Sequence, residues 1–219
     1  MPGPMKIDFV SDVSCPWCAI GLKSLEQALA RLPELQVELH FQPFELNPGM
    51  APEGEDIDEH LARKYGLPPA QLAANRERIR ERGAALGFDF AQGARSRIYN
   101  TFDAHRLLHW AGLQGGSLQR ELKLSLFRAY FTEGKDPSNQ ALLLERAAAV
   151  GLDADEALAV LESGRYADEV LDAESLYHSL GVSSVPAVII NEQHLISGGQ
   201  PPEVFEQALR QIAAEAASD

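Results

Sequence analysis

The sequence predicts an α/β protein in which a β-α-β unit near the N-terminus and a β-β-α unit near the C-terminus share one sheet, with a long helical insertion between them. Apolar residues alternate near both ends of the chain, whereas between them they recur at helical spacing. Strand units interrupted in this way are expected as separate domains or as one domain with an insertion, and there are too few strands for two sheets. We therefore expect one discontinuous domain at residues 1–48 and 181–219, and an all-helical domain at residues 49–180.

The first unit begins with a short apolar segment at residues 5–10, which predicts a strand. A polar loop follows at residues 11–14 and leads into residues 15–32, whose apolar positions are spaced as in an amphipathic helix. Pro33 ends that helix, because proline cannot continue a hydrogen-bonded helical turn. Residues 35–42 then alternate apolar and polar side chains, the period of a strand with one buried face.

The middle of the chain is predominantly helical after a turn-rich connector at residues 47–54. Glycine and proline breaks divide it into segments. The predicted helices are at residues 57–65, 69–86, 100–111, 117–131, 138–150, 154–162 and 166–180. The chain then returns to strands at residues 187–190 and 194–197, which predict a hairpin, and ends in a helix that contains Phe205, Leu209 and Ile212.

Composition and charge exclude some classes of function. The formal net charge is −13, whereas sequence-independent nucleic-acid binding needs clustered lysine and arginine. The same charge disfavours anionic membrane surfaces, and no segment approaches the roughly 20 apolar residues of a membrane span. The one basic run, at residues 76–82, alternates arginine with glutamate and is interpreted as a solvated, ion-paired helix face. Met1-Pro2-Gly3-Pro4 is not followed by an apolar signal core, so we expect a cytosolic protein.

The two cysteines, Cys15 and Cys18, carry the chemistry that the sequence suggests most strongly. A chain of this length needs no disulfide to stabilise its core, and cytosolic thiols are kept reduced. Spacing i, i+3 at a helix start places Cys15 at the helix N-terminus, where unpaired N–H groups favour a thiolate, and Cys18 one turn further in. Cys15 is the expected nucleophile and Cys18 the resolving thiol. Pro16 suits the first helical turn, and Trp17 offers an apolar platform for substrate.

Two features leave alternatives open at this point. His105 and His109 stand four residues apart on a predicted helix, so the chain formally contains a Cys2His2 ligand set, although the pairs are far apart for a zinc finger. Packed or surface histidines are the simpler interpretation. Val185-Pro186 precedes a predicted strand, and a proline there is explained either by a trans edge position or by a cis peptide bond in a tight turn.

The chain resembles a known family in four segments that occur in the same order. These are residues 11–18 (SDVSCPWC), 41–48 (FQPFELNP), 100–107 (NTFDAHRL) and 197–201 (SGGQP). Together with the arrangement of strands and helices, they are similar to the thioredoxin fold with a DsbA-type helical insertion, and in particular to the FrnE-like branch of the DsbA family. The resemblance implies a thiol–disulfide oxidoreductase or dithiol–disulfide isomerase.

The resemblance also implies the remaining site. It places a cis-Pro186 opposite the cysteines as part of the catalytic site, with Pro16, Trp17, Val185 and His105 on the substrate-binding side and no metal. The implied substrate is a dithiol or disulfide; no cofactor is needed beyond the Cys15–Cys18 pair itself and a redox partner, for which glutathione is a candidate. The helical insertion could supply an apolar surface for a homodimer.

Two other functions remain as alternatives. A neighbouring branch contains kappa-class glutathione transferases and 2-hydroxychromene-2-carboxylate isomerases, and resembles this chain apart from a serine at the position of Cys15. A glutathione-dependent enzyme of that kind would not need Cys18. The other alternative is a non-catalytic binding module, which would have an intact cysteine pair but no reductase activity.

Overall fold

One four-stranded sheet joins the two ends of the chain in the computed structural model, which describes residues 3–216. Residues 1–2 and 217–219, which the expected domain limits include, lie outside the described residues. The strand order is β2-β1-β5-β6, with β1 parallel to β2 and antiparallel to β5, and β6 antiparallel to β5. The strands are β1 (Met5–Ser11), β2 (Val37–Pro43), β5 (Ala187–Ile190) and β6 (His194–Ser197). The predicted β-α-β and β-β-α units therefore share one sheet.

The helices agree with the periodicity of the sequence, and their ends differ from the predicted ones by two residues or fewer. They are α1 (Pro16–Ala30), α2 (Ile57–Tyr65), α3 (Pro69–Ala85), α4 (Phe102–Leu113), α5 (Leu118–Phe131), α6 (Gln140–Ala149), α7 (Ala154–Ser163), α8 (Ala167–Ser179) and α9 (Pro202–Ala216). Among the helices within residues 3–216, none combines the length and the hydropathy needed to cross a membrane.

The insertion is not purely helical, which the sequence did not predict. A two-stranded antiparallel sheet pairs β3 (Glu55–Asp56) with β4 (Arg97–Ile98). Two residues are too few to show a period-2 pattern, so hydrophobic alternation could not reveal these strands. The small sheet fixes the start of α2, where the Asp56 carboxylate accepts hydrogen bonds from the N–H groups of Asp58 and Glu59.

The main core lies between the sheet and the helices that cover it. Helix α1 is buried along most of its length and packs against α9. Phe127, Tyr130 and Phe131 of α5 belong to the same apolar cluster as the strands, and so do Phe88 and Phe90 of the segment after α3. Truncating such a buried aromatic side chain typically costs about 3–5 kcal/mol. A shared cluster of this kind fixes part of the insertion rigidly against the sheet and the start of α1.

Strand β2 is one edge of the sheet, and a side chain of α5 occupies part of that edge. The N–H of Phe41 donates to Oε1 of Gln119 at 3.1 Å, and Nε2 of Gln119 donates to the carbonyl oxygen of Phe41 at 3.1 Å. The same amide nitrogen also donates to the carbonyl oxygen of Leu108. Gln119 thus satisfies both backbone groups of one residue of β2, as a neighbouring strand would.

Candidate active site

The two cysteines lie at the junction between β1 and α1. The chain leaves β1 at Ser11 and makes a turn in which the N–H of Cys15 donates to the carbonyl oxygen of Asp12. Cys15 is then the N-cap residue of α1, in an extended conformation, and Pro16 takes the first helical position. Since a proline lacks an N–H, it wastes no donor at a position where donors have no partner within the helix. Cys15 therefore stands where the free N–H groups of the first turn converge.

The environments of the two thiols are unequal. Cys15 is 5% exposed and Cys18 is fully buried, and no disulfide joins them. The hydrogen bond from the Cys18 thiol lowers the pKa of Cys15, and the N–H groups of Cys18 and Trp17 act in the same direction. Burial raises the pKa of Cys18 well above its ordinary value, and the neighbouring Cys15 adds to this shift. The direction for Cys15 agrees with the sequence-based hypothesis, but its largest cause is the second thiol and not the helix terminus.

The loop before β5 faces this pair. The Val185–Pro186 peptide bond is cis, and Sγ of Cys15 lies 3.7 Å from the carbonyl oxygen of Val185. Gly21 of α1 makes the approach of this loop feasible, because a Cβ atom there would lie 2.9 Å from Cγ of Pro186. Gly199 plays the same part after β6, where a Cβ atom would lie 2.9 Å from the carbonyl oxygen of Trp17. Two glycines thus allow the C-terminal unit to close on the motif.

A buried cluster of charged and polar groups, formed by Asp12, His105 and Lys123, lies behind the cysteines. All three side chains are 2% exposed or less. The Asp12 carboxylate accepts hydrogen bonds from the hydroxyl of Ser14 at 3.0 Å and the N–H of Leu46 at 2.8 Å, and it lies 3.3 Å from Nε2 of His105. The Lys123 ammonium lies 5.2 Å from the ring centre of Phe127. The cluster draws its members from the β1–α1 loop, α4 and α5.

The protonation states follow from this packing. Burial opposes ionisation of Asp12, but its hydrogen bonds outweigh burial and lower its pKa to about 2. Burial lowers the pKa of His105, so at neutral pH its ring is neutral and donates a hydrogen bond to Asp12. Burial also lowers the pKa of Lys123 to about 8, against the attraction of Cys18, Asp12 and Cys15. At neutral pH the cluster therefore holds one anion and one cation, and the cation attracts both sulfur atoms.

A second set of buried carboxyl groups, the Glu45–Glu174 pair, lies near enough to Asp12 to sense its charge. Burial and, to a smaller extent, the nearby charges of Glu174 and Asp12 together raise the pKa of Glu45 to about 8. Burial and Asp12 likewise raise the pKa of Glu174 to about 7. One carboxylate oxygen of each has no hydrogen-bond partner among the described residues. Like-charged neighbours favour a shared or retained proton on buried carboxyl groups.

Helix α3 of the insertion covers the surface of the motif. The guanidinium of Arg78 lies over the ring of Trp17, with Cζ 5.8 Å from the ring centre. Arg82 donates to the carbonyl oxygen of Gly199 at 3.1 Å. The predicted ion-paired face of the basic run is present in part, since Arg80 pairs with Glu77 at 2.7 Å. Arg78 and Arg82 differ because they bind the domain that carries the cysteines.

The predicted site residues are not all brought together. Pro16, Trp17, Val185 and Pro186 lie around Cys15, but His105 lies behind the motif and not on an open substrate groove. Its ring is buried because α4 packs directly against the Asp12 loop. His109 stacks on Tyr166 at 5.2 Å between ring centres. Within residues 3–216, no three His, Cys, Asp or Glu side chains form a group that could hold a metal ion.

Sequence reasoning missed Asp12, Lys123 and Arg95 as parts of the site. Asp12 was visible only as part of a polar loop. Lys123 had a weak signal, because it lies four residues before Phe127 on a helix face that is otherwise apolar. Arg95 had none: it donates to the carbonyl oxygen of Ser14 at 3.3 Å from an irregular segment far along the chain, and its guanidinium lies 5.4 Å from the ring centre of Phe131.

A dithiol at the start of a helix, facing an X-Pro loop across this sheet order, defines a protein of the thioredoxin-like class. The chain belongs to the family of the DSBA-like thioredoxin domain, whose sequence profile matches residues 6–210. This is a family of thiol–disulfide oxidoreductases, and the insertion between the two sheet-forming units is the arrangement expected of it.

Individual relatives are consistent with this assignment. A probable DsbA oxidoreductase from Streptomyces coelicolor is 35% identical, with a TM-score of 0.89 over 96% of this chain and 91% of that one. The uncharacterized protein YwbO of Bacillus subtilis is 26% identical over 93% of this chain and 94% of its own length. The cytosolic disulfide reductase DsbM from Pseudomonas aeruginosa is 20% identical, with a TM-score of 0.65 over 95% and 98% of the two chains, and that likeness shows the fold alone.

Proposed function

We propose that this protein exchanges thiols and disulfides through the Cys15-Pro16-Trp17-Cys18 motif, with Cys15 as the nucleophile and Cys18 as the resolving thiol. The observation that carries the proposal is the asymmetry of the pair. Cys15 is the more exposed sulfur, its pKa is lowered, and it faces the cis-Pro186 loop, whereas Cys18 is fully buried with a raised pKa. A thiolate is the attacking species in exchange, and a buried neighbour is protected until the mixed disulfide forms.

The exchange proceeds in two substitutions at sulfur. The Cys15 thiolate attacks one sulfur of a substrate disulfide RS–SR, which forms a Cys15–SR bond and releases one RS⁻. Cys18 then loses its proton and attacks Sγ of Cys15, which forms the Cys15–Cys18 disulfide and releases the second RS⁻. Two electrons pass from the cysteine pair to the substrate, and an external dithiol returns them for the next turnover. The reverse sequence oxidises a dithiol substrate.

The groups around the pair have separable tasks in this scheme. The carbonyl oxygen of Val185 lies close enough to Cys15 for the backbone of a bound substrate to pair beside it. Trp17 provides apolar area for the substrate. The positive charge of Lys123 attracts both sulfurs and so supports the thiolate of Cys18 during the second substitution. Asp12 and neutral His105 hold the loop from which Cys15 projects.

Three finer assignments belong to the same proposal. The four matching segments support the FrnE-like branch of the family. Glutathione is a candidate redox partner, in keeping with a structure of DsbM with GSH, and the substrate is a dithiol or a disulfide. We also propose that the protein acts in the cytosol, where a reduced pair of this kind would be maintained.

Reduction of insulin by dithiothreitol tests the proposal with wild type, Cys15→Ser and Cys18→Ser. We expect Cys15→Ser to lose all acceleration over dithiothreitol alone. Cys18→Ser should still form a mixed disulfide, because the chain contains only two cysteines and Cys15 then has no internal resolving partner. Mass spectrometry of that variant after mixing with oxidised glutathione should show one added glutathione. Ser24→Ala, a change at a buried hydroxyl of the same helix, is the control and should keep the wild-type rate.

The same variants separate the alternative functions. Equal activity in wild type and Cys15→Ser would refute the assigned nucleophile. Full activity of Cys18→Ser in a glutathione-dependent isomerisation would favour the isomerase or transferase branch, because that chemistry does not use a resolving thiol. Absence of reductase activity in a folded wild-type protein would favour the non-catalytic binding module.

A further inference from the structure

A cavity of about 460 Å³ opens beside the cysteine motif, between α3 and the segment that follows it. Pro16 lines one end of it, so the cavity starts next to Cys15 in the chain. Phe90, Phe131 and Ile79 supply an apolar floor. The size is that of a pocket for a small organic molecule, and is too small for a folded protein surface.

The charge of this cavity is opposite to that of the whole chain. Three arginines line it, Arg76, Arg80 and Arg95, together with a single carboxylate, Glu77, whereas the chain has a formal net charge of −13. Arg80 and Glu77 form an ion pair, and Arg76 pairs with Asp58, which does not line the cavity. Clefts lined by one sign of charge concentrate counter-charged ligands.

Arg95 has the clearest need for an anionic partner. It donates to the carbonyl oxygen of Ser14 and stacks near the rings of Tyr130 and Phe131, but no carboxylate pairs with it among the described residues. The charge of Arg76 repels it, and the Cys15 thiolate attracts it. An anion placed between Arg76 and Arg95 would relieve that repulsion, and it would lie beside the reactive sulfur.

We propose that this arginine-lined cavity binds the carboxylate group of a small disulfide substrate, and so makes the protein selective for anionic low-molecular-weight disulfides. The inference rests on the proposed function, because the ligand is held where its sulfur can meet Cys15. The carboxylate is not altered in the reaction; only the disulfide exchanges, as written above. The face of α3 that the sequence predicts to be solvated thus also contributes Arg76 and Arg80 to a binding cavity.

Two small disulfides that differ in charge test the selectivity. One is 3,3′-dithiodipropionate, with a carboxylate on each arm, and the other is the neutral 2-hydroxyethyl disulfide. The measured quantity is the ratio of kcat/KM for the anionic to that for the neutral substrate, in low salt with dithiothreitol as reductant. Forming this ratio for each variant cancels the intrinsic difference in reactivity between the two disulfides. The wild-type ratio should fall as sodium chloride is added, because salt screens the attraction.

Variants that remove a positive charge from the cavity and a variant that removes its negative charge should shift the ratio in opposite directions. Arg80→Gln and Arg76→Gln should each lower the ratio by about fivefold, whereas Glu77→Gln should raise it by about threefold, in keeping with single charge pairs at a partly open site. Arg210→Gln is the matched control, because Arg210 is an exposed arginine that pairs with Glu206 on α9, away from the cavity. It should leave the ratio unchanged.

The outcomes separate this inference from the proposed function. If wild type reduces both disulfides but none of the cavity variants shifts the ratio relative to Arg210→Gln, the selectivity is refuted and the oxidoreductase stands. If the Glu77 and arginine variants shift it in the same direction, folding and not charge is responsible, and the inference is again refuted. If wild type reduces neither disulfide and Cys15 forms no mixed disulfide, the proposed function itself fails.

Discussion

The Asp12–His105–Lys123 cluster and the Glu45–Glu174 pair both bury ionisable side chains, but their carboxyl groups behave differently. In the first cluster, burial opposes ionisation, but hydrogen bonds, above all the one from His105, keep the pKa of Asp12 at about 2. In the second, burial and then the nearby negative charge raise the pKa values of Glu45 and Glu174 to about 8 and about 7. Asp12 is the most buried of the three, 1% exposed against 8% for Glu45 and Glu174, so burial alone does not decide whether a carboxyl group keeps its proton; the hydrogen bonds that it accepts and the charges near it decide.

Removal of the charge of Asp12 should have the largest effect on the free energy of unfolding. Asp12→Asn leaves Lys123 as an uncompensated buried cation and weakens the bonds to Ser14 and Leu46, so we expect the free energy of unfolding to fall by about 3 kcal/mol. Urea unfolding at pH 7 measures it. Asp8→Asn is the matched control, because Asp8 is also buried but its cation, Lys6, is exposed; the loss there should be about 1 kcal/mol. Equal losses in the two variants would contradict the comparison.

The low pKa of the same carboxyl group leads us to expect that the free energy of unfolding falls at acid pH. The pKa of Asp12 is about 2 in the folded protein against an ordinary 3.8, so its contribution is present above pH 3.8 and is lost as the pH falls towards 2. Asp12→Asn should abolish that part of the decline. The variant should also lower the pKa values of Glu45 and Glu174, which the Asp12 charge raises.

Glu45→Gln should increase the free energy of unfolding, whereas Asp12→Asn should decrease it. The raised pKa of Glu45 means that its contribution is full below the ordinary value of 4.5 and is lost as the pH rises through about 8. The variant removes this loss, so at pH 8.5 we expect it to be about 2 kcal/mol more stable than wild type, with the difference vanishing near pH 4. Glu38→Gln, on the exposed side of β2, is the control and should change little. A destabilised Glu45→Gln at pH 8.5 would show that the carboxylate has a partner in the folded protein.

Lys123→Met should have the smallest effect on the free energy of unfolding. It should nevertheless change the rate of thiol–disulfide exchange. A methionine fills similar volume without charge, and the Asp12 carboxylate keeps its hydrogen bonds from Ser14 and Leu46, so stability should change by less than about 1.5 kcal/mol. The second substitution, by Cys18, should slow about tenfold because its thiolate loses a cation. Stopped-flow release of the second substrate thiol measures that step. Lys23→Met, which removes an ion-paired lysine from α1 itself, should leave the rate intact. Slowing of the first substitution alone would place the influence of Lys123 on Cys15.

Most of the fold could be predicted from the sequence, because helices such as α5 and strands such as β1 carry their period over many residues. The position of Cys15 at the start of α1 could also be predicted, since the turn, the N-cap position and Pro16 are contiguous in the sequence. The side chains that surround the cysteines could not be predicted from the sequence. His105 and Asp12 stand 93 residues apart, and nothing local to either one indicates the other. The direction in which Arg78 and Arg82 face depends on how α3 packs across α1, which no pattern within α3 determines.

The amide of Gln119 has a consequence for how copies of the molecule behave together. At high concentration, proteins with an open sheet edge tend to associate through it and to seed aggregates. Since both backbone groups of Phe41 are already engaged, a second chain finds no free partner at that point of β2. A homodimer, which stays a prediction of the sequence, could not use strand pairing at Phe41. One glutamine of the insertion thus contributes to colloidal stability as well as to the fold.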